Sequence, residues 1–171
     1  IILKDFRIQN YYTGVVINGA SNVKPYKNLV SDVTIDGLYF LAIGSAYDKG
    51  AVDTSKAAIY VDSADNVRIM NSRFVDISNI KDQKLWWTKG HSYGGLHAIY
   101  INYSDNSYIY NNYFENVYAR GVVKTRNYSN FTQIMFNRFM DDTSLYLDQP
   151  CDKSSGLCQA TLNKSYAECN S

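Results

Sequence analysis

The feature that most restricts how this chain can fold is a repeat. The segment AIYVDSADNVRIMNSRFVDI, from Ala58 to Ile77, lies over AIYINYSDNSYIYNNYFENV, from Ala98 to Val117, without a gap and with eight of twenty positions identical. A third copy, VVKTRNYSNFTQIMFNRFMDD, starts at Val122 and shares Asn-Tyr-Ser with the second, at Asn127 to Ser129 and Asn102 to Ser104. An apolar residue followed five positions later by Phe recurs as Ile1/Phe6, Ile35/Phe40, Ile69/Phe74, Ile109/Phe114 and Ile134/Phe139. Such self-similarity marks stacked units that bury a shared core only against their neighbours. The steps between the Ile positions are 34, 34, 40 and 25 residues, so the shortest approximates a bare coil and the longer ones carry loops on one face.

Within each unit the apolar residues alternate over only three to five positions, as at Ile59/Val61 and Ile99/Ile101, which is strand rather than helix periodicity. Asn71, Asn111 or Asn112, and Asn137 follow the second strand of their coils and suit a turn that needs a left-handed residue; Gly37 is the same device in an earlier coil. Parallel coils about 4.8 Å apart would set like residues over like and make Ile, Val and Phe interior ladders. The expectation is an all-β solenoid of about five to six coils over residues 1–148, followed by a tail over 149–171. The chain starts inside a strand, without the amphipathic cap a solenoid's first coil needs, and reads as part of something longer.

Composition narrows the partners. Lys+Arg 17 against Asp+Glu 16 leave a net charge of +1, so no general field draws the chain to nucleic acid, membrane or polyanion, and any charge recognition must be local. No stretch approaches the roughly 20 apolar residues of a membrane span, and the start, IILKDFRIQN, lacks a charged n-region followed by a long apolar run. All three cysteines, Cys151, Cys158 and Cys169, fall in the tail. A Cys151–Cys158 bridge in an oxidising compartment and free thiols are both open.

The units IMNSRF, IYNNYF and IMFNRF, preceded by AIYV, AIYI and GVVK, resemble the right-handed parallel β-helix superfamily of pectate-lyase-like proteins and phage tailspikes. The resemblance implies a glycan groove on the sheet before the long turn, an extracellular, virion-surface or cell-surface setting, and, from tailspikes, a homotrimer. Side chains alternate in and out along a strand. With Ile59, Val61, Ile99 and Ile101 inside, Tyr60, Asp62, Tyr100 and Asn102 point outward. An ungapped match of the third copy would bury Lys124 and Arg126, whose uncompensated charges are costly inside, and a shift of one residue turns both outward. The next strand adds Tyr146 and Asp148.

Such a face offers aromatic surface for sugar rings, amides for hydroxyls and cations for a uronate. Cleavage by β-elimination needs a neutraliser and a base, roles open to Arg126 with Lys124 or a tyrosinate such as Tyr100. The VVKTR segment is similar to the strand that carries a catalytic arginine in the alginate and chondroitin lyases of this fold, and this implies Arg126. Those lyases also use a lysine one coil earlier, where this chain has Asn102, Tyr103 and Ser104. The bland alternative makes Lys124 and Arg126 a solvated edge paired with Asp148 or Asp62. Hydrolysis would need two carboxylates, and Asp62 and Asp148 stand about three spacings of 4.8 Å apart. Asp65, Asp105 and Asn130 share one repeat position and read as a turn ladder.

The longest insertion, Ile80 to Ala98, holds Trp86, Trp87, His91 and Tyr93, either a sugar-stacking wall with His91 as acid or base, or a loop pinned by its own tryptophans. His97 shares inward parity with Ile99 and reads as a strand-end histidine. Asp48 and Asp53 could help hold Ca²⁺, as in pectate lyases, without recognisable metal-ligand spacing. The functional expectation is a protein that binds and cleaves an acidic polysaccharide as a lyase. A non-catalytic adhesive shaft, a glycoside hydrolase and a purely structural fragment are the alternatives.

Overall fold

The structure, a computed structural model, describes residues 1–11, 13–19, 30–44, 56–78, 96–118, 121–127 and 129–140. Every regular element among them is a strand. Sheet A is built from β1 (Ile2–Lys4), β4 (Val30–Asp36), β7 (Ala64–Met70), β10 (Tyr108–Tyr110) and β13 (Gln133–Met135). Sheet B takes β2 (Arg7–Gln9), β5 (Tyr39–Leu41), β8 (Arg73–Ser78), β11 (Tyr113–Tyr118) and β14 (Arg138–Phe139), and sheet C takes β3 (Val15–Asn18), β6 (Lys56–Asp62), β9 (Leu96–Asn102) and β12 (Gly121–Arg126). Each strand pairs in parallel with the strand three further along the chain, so every circuit through A, B and C adds one rung to each sheet.

Register turns the sequence repeat into ladders. Leu3, Ile35, Ile69, Ile109 and Ile134 stack in sheet A. Val15, Ile59, Ile99 and Val123 do so in sheet C. In sheet B the column runs Ile8, Phe40, Phe74, Phe114, Phe139. Its rings lie nearly parallel, with centroids 4.9, 4.8 and 5.0 Å apart, so the aromatic spacing equals that of the strands.

The first coil departs from the pattern read above. The pair inside is Leu3/Ile8, because Leu3 pairs with Ile35 and Ile8 with Phe40, a step of 32 residues rather than 34. Ile1 and Phe6 are exposed. Both pairs keep the same five-residue spacing, and only pairing with the next coil selects between them.

The corners between strands use the left-handed region. Between sheets A and B the positive φ falls on Asp5, Gly37, Asn71, Asn111 and Phe136. Asn111, not Asn112, is therefore the turn residue, and in the last described coil Phe136 takes the role expected of Asn137. A bulky side chain there costs about 1–2 kcal/mol against glycine. Asn112 and Asn137 serve one position later, in a ladder with Ser72. The Ser72 N–H donates to Asn112 Oδ1 (3.0 Å) and the Asn112 N–H to Asn137 Oδ1 (2.9 Å). The amide groups Asn112 Nδ2 and Asn137 Nδ2 donate back to the carbonyls of Ile69 (2.9 Å) and Ile109 (2.8 Å). Asn137 is thus kept from the turn position by its role in satisfying buried backbone.

Asp65 bridges Asp105, and Asn130 Nδ2 donates to Asp105 Oδ1 at 3.0 Å, so the three positions stack as the repeat implied, with Asp65 in strand β7 rather than in a turn.

Candidate functional site

Two neighbouring columns cover the outward positions of sheet C. One runs Val16, Tyr60, Tyr100, Lys124 and the other Asn18, Asp62, Asn102, Arg126. Lys124 sits level with Tyr100 and Arg126 with Asn102, a step of 24 residues across β9 and β12. By Ser129, which accepts from the Ser104 N–H, the step is 25. The extra residue is taken up between Arg126 and Ser129, and this is why the shared Asn-Tyr-Ser and the strand before it do not align together. Val123 and Thr125 consequently face inward in place of the two cations, which spares the core two charges.

Outward parity does not mean exposure. Tyr100 is 3% exposed, Lys124 6% and Asn102 7%, whereas Tyr60 and Asp62 are half-buried and Arg126 is exposed. Tyr100 is enclosed by its neighbours. Tyr60 meets it edge-on with centroids 5.2 Å apart, the Lys124 ammonium lies over its ring at 5.4 Å, and His97 packs against it at 5.4 Å. His97 itself is fully buried, in register with Ala57 and Gly121.

In the second column Asp62 gathers three donors. Tyr60 Oη donates to Oδ2 at 3.2 Å, while Ser63 Oγ and Asn102 Nδ2 donate to Oδ1 at 3.1 and 3.3 Å. Asn127 Nδ2 in turn donates to Asn102 Oδ1 at 2.9 Å, so an amide chain leads from Asp62 toward the next coil. Ser63 and Asn127 were not among the residues singled out from sequence, although Asn127 carried a signal in the shared Asn-Tyr-Ser.

The Tyr60 phenol is pushed up to about 12, first by burial and then by the Asp62 charge. Tyr60 is therefore a hydrogen-bond donor at neutral pH, not a base. A raised folded-state value has a defined sign. Above its ordinary value of 10.0 the unfolded chain releases the proton while the folded chain keeps it to about 12, so Tyr60's contribution is intact below the first value and declines as pH rises to the second. A Tyr60→Phe chain is expected to lose less stability than the parent across that interval, read from urea midpoints at stepped alkaline pH. Parallel curves for the two chains would refute this.

Chemically, the face supplies a shielded aromatic pair, a carboxylate–amide row and one exposed guanidinium able to take an oxyanion in bidentate fashion. Tyr60, Asp62, Tyr100, Asn102, Lys124 and Arg126 are brought together. Trp86, Trp87, His91, Tyr93, Tyr146 and Asp148, together with Asp48, Asp53 and the cysteines, lie outside the described residues. Among the described residues no group of His, Cys, Asp or Glu could hold a metal ion, and no helix is long and apolar enough to cross a membrane. Compared with known proteins, the chain matches no family model, no curated protein and no solved structure.

Proposed function

We propose that the chain is a stretch of right-handed parallel β-helix, akin to the pectate-lyase-like and tailspike proteins, that binds an acidic polysaccharide along the outer face of sheet C. One observation carries the reading. The exposed Arg126 guanidinium ends the column that begins at the exposed Asn18 and stands beside the Tyr60–Tyr100–Lys124 column, so a charge for a carboxylate and an amide for hydroxyls share one face. An extracellular or virion- or cell-surface location, and a homotrimer, accompany this reading.

Cleavage by β-elimination is the second reading, favoured by Lys124 two residues before Arg126 on β12 and by Tyr100 level with Lys124 on the adjoining rung. Arg126 would neutralise the uronate, and Lys124 or Tyr100 would take the proton next to it. Both bases are buried, so a lyase would have to turn one of them toward its substrate. Hydrolysis is less well supported, because Asp65 and Asp105 each accept an amide from a neighbouring coil.

The test is a panel of uronate polysaccharides with neutral glucans as controls. Binding is followed by calorimetry and elimination by the ultraviolet absorbance of the unsaturated product. Uronate chains are expected to bind and Arg126→Ala to weaken them about tenfold, the loss of one charge-assisted pair. Binding without product would remove the lyase reading and keep the first; absence of binding to every chain would end both.

A further inference from the structure

The outer face of sheet B carries a regular array that the sheet C reading does not use. The column one position before the core phenylalanines runs Arg7, Tyr39, Arg73, Tyr113, Arg138, cation and aromatic in strict alternation. Each tyrosine is held between two guanidiniums. Arg7 and Arg73 lie 5.2 and 5.5 Å from the Tyr39 ring centre, and Arg73 and Arg138 lie 4.9 and 5.9 Å from that of Tyr113. All three arginines are exposed.

A guanidinium held over a ring keeps its in-plane N–H groups clear of the ring. Of those in this row, Arg138 Nε donates to Met140 Sδ at 3.1 Å, which leaves its terminal N–H groups for a ligand. Each fork is thereby oriented before any ligand arrives, which lowers the ordering cost of bidentate binding. Two rungs of about 4.8 Å separate successive arginines, so three oriented forks stand in line about 9.6 Å apart. Among the described residues none of these arginines is in a salt bridge with a carboxylate. Glu115, two positions along β11, is hydrogen-bonded to Tyr113, and Asp76 within β8 accepts the Asn116 amide at 3.0 Å.

We infer that this column is a second binding site, for an extended polysaccharide bearing an anionic group, carboxylate or sulfate, on alternate sugars. Such a polymer repeats its charge at about the interval of the arginines and offers sugar faces to the tyrosine edges between them. Nucleic acid fits less well, since every nucleotide carries a phosphate, one per about 3.4 Å of axis on each duplex strand, a denser charge than forks two rungs apart. The inference rests on the sheet B geometry and stands or falls apart from the sheet C reading.

The experiment uses the 171-residue chain carrying Arg126→Gln, so that sheet C contributes little. Calorimetric titrations are run with hyaluronan, chondroitin sulfate, dextran and oligothymidylate. Hyaluronan binding assigns the carboxylate, and chondroitin sulfate binding without hyaluronan assigns the sulfate; dextran is expected not to bind. Adding Arg73→Gln is expected to lower affinity about tenfold, and Arg73→Lys, which keeps charge but not the stacked fork, several-fold. Should circular dichroism show that Arg73→Gln disturbs the fold, Arg138→Gln on the last described rung replaces it. The inference is overturned if no polyanion binds in the Arg126→Gln chain, if oligothymidylate binds as tightly as the polysaccharides, or if the sheet B substitutions leave affinity within about twofold.

Discussion

Replacing Phe74 with alanine is expected to destabilise the fold by about 3–5 kcal/mol, the usual cost of emptying a phenylalanine site in a close-packed core. Phe74 has no solvent exposure and lies between Phe40 and Phe114, tilted only 6° and 12° from them. Coils in a stacked repeat gain their stability chiefly from nearest neighbours, so a gap at this rung weakens the contact on both sides. Phe139→Ala is the matched comparison. Phe139 is only partly buried and stacks on Phe114 at 5.0 Å, so its removal should cost distinctly less. Urea midpoints measure the difference, and amide exchange should show lost protection at Phe40 and Phe114 together. Equal costs for the two variants would mean that the aromatic column does not couple the coils.

The ladders of this fold were legible because stacking puts like residues over like, and a five-residue spacing of Ile and Phe repeats where sheets A and B meet from Ile35/Phe40 onward. What escaped was register. Ile1/Phe6 and Leu3/Ile8 satisfy the same spacing, and only the pairing of Leu3 with Ile35 decides between them. The cost of burying Lys124 and Arg126 did point to the shift that β12 makes. The turn falls at Phe136, one residue before the asparagine that suits it, because Asn137 acts as a half-buried ladder amide. At the site, parity gave direction but not accessibility. Tyr100 points outward and is nevertheless enclosed by Tyr60, Lys124 and His97, contacts between coils that alternation within one strand does not encode. The Arg–Tyr column was written in the residue before each core Phe, as in NSRF, NNYF and FNRF, and becomes visible only when those residues are read across coils.

The same ladder logic predicts a large effect at a polar position. Asn112 donates to the Ile69 carbonyl and to Asn137 Oδ1 at 2.9 and 3.0 Å, and accepts from the Ser72 N–H at 3.0 Å. Asn112→Ala removes all three bonds at a site 2% exposed. Each backbone group left without its partner costs about 1–3 kcal/mol, so a loss of about 2–5 kcal/mol is expected. Asn112→Asp separates hydrogen bonding from volume. Its carboxylate can still accept from Ser72 but would face two acceptors, so burial and this environment raise its pKa in the folded chain above the unfolded value. The folded variant then holds more protons than the unfolded one, and its stability relative to the parent should rise as pH falls from about 7 toward about 4.5. Urea midpoints of parent and variant at both pH values supply the comparison. A pH-independent gap, or a cost for Asn112→Ala below about 1 kcal/mol, would show that the corner is held by packing and that the amide ladder is incidental to it.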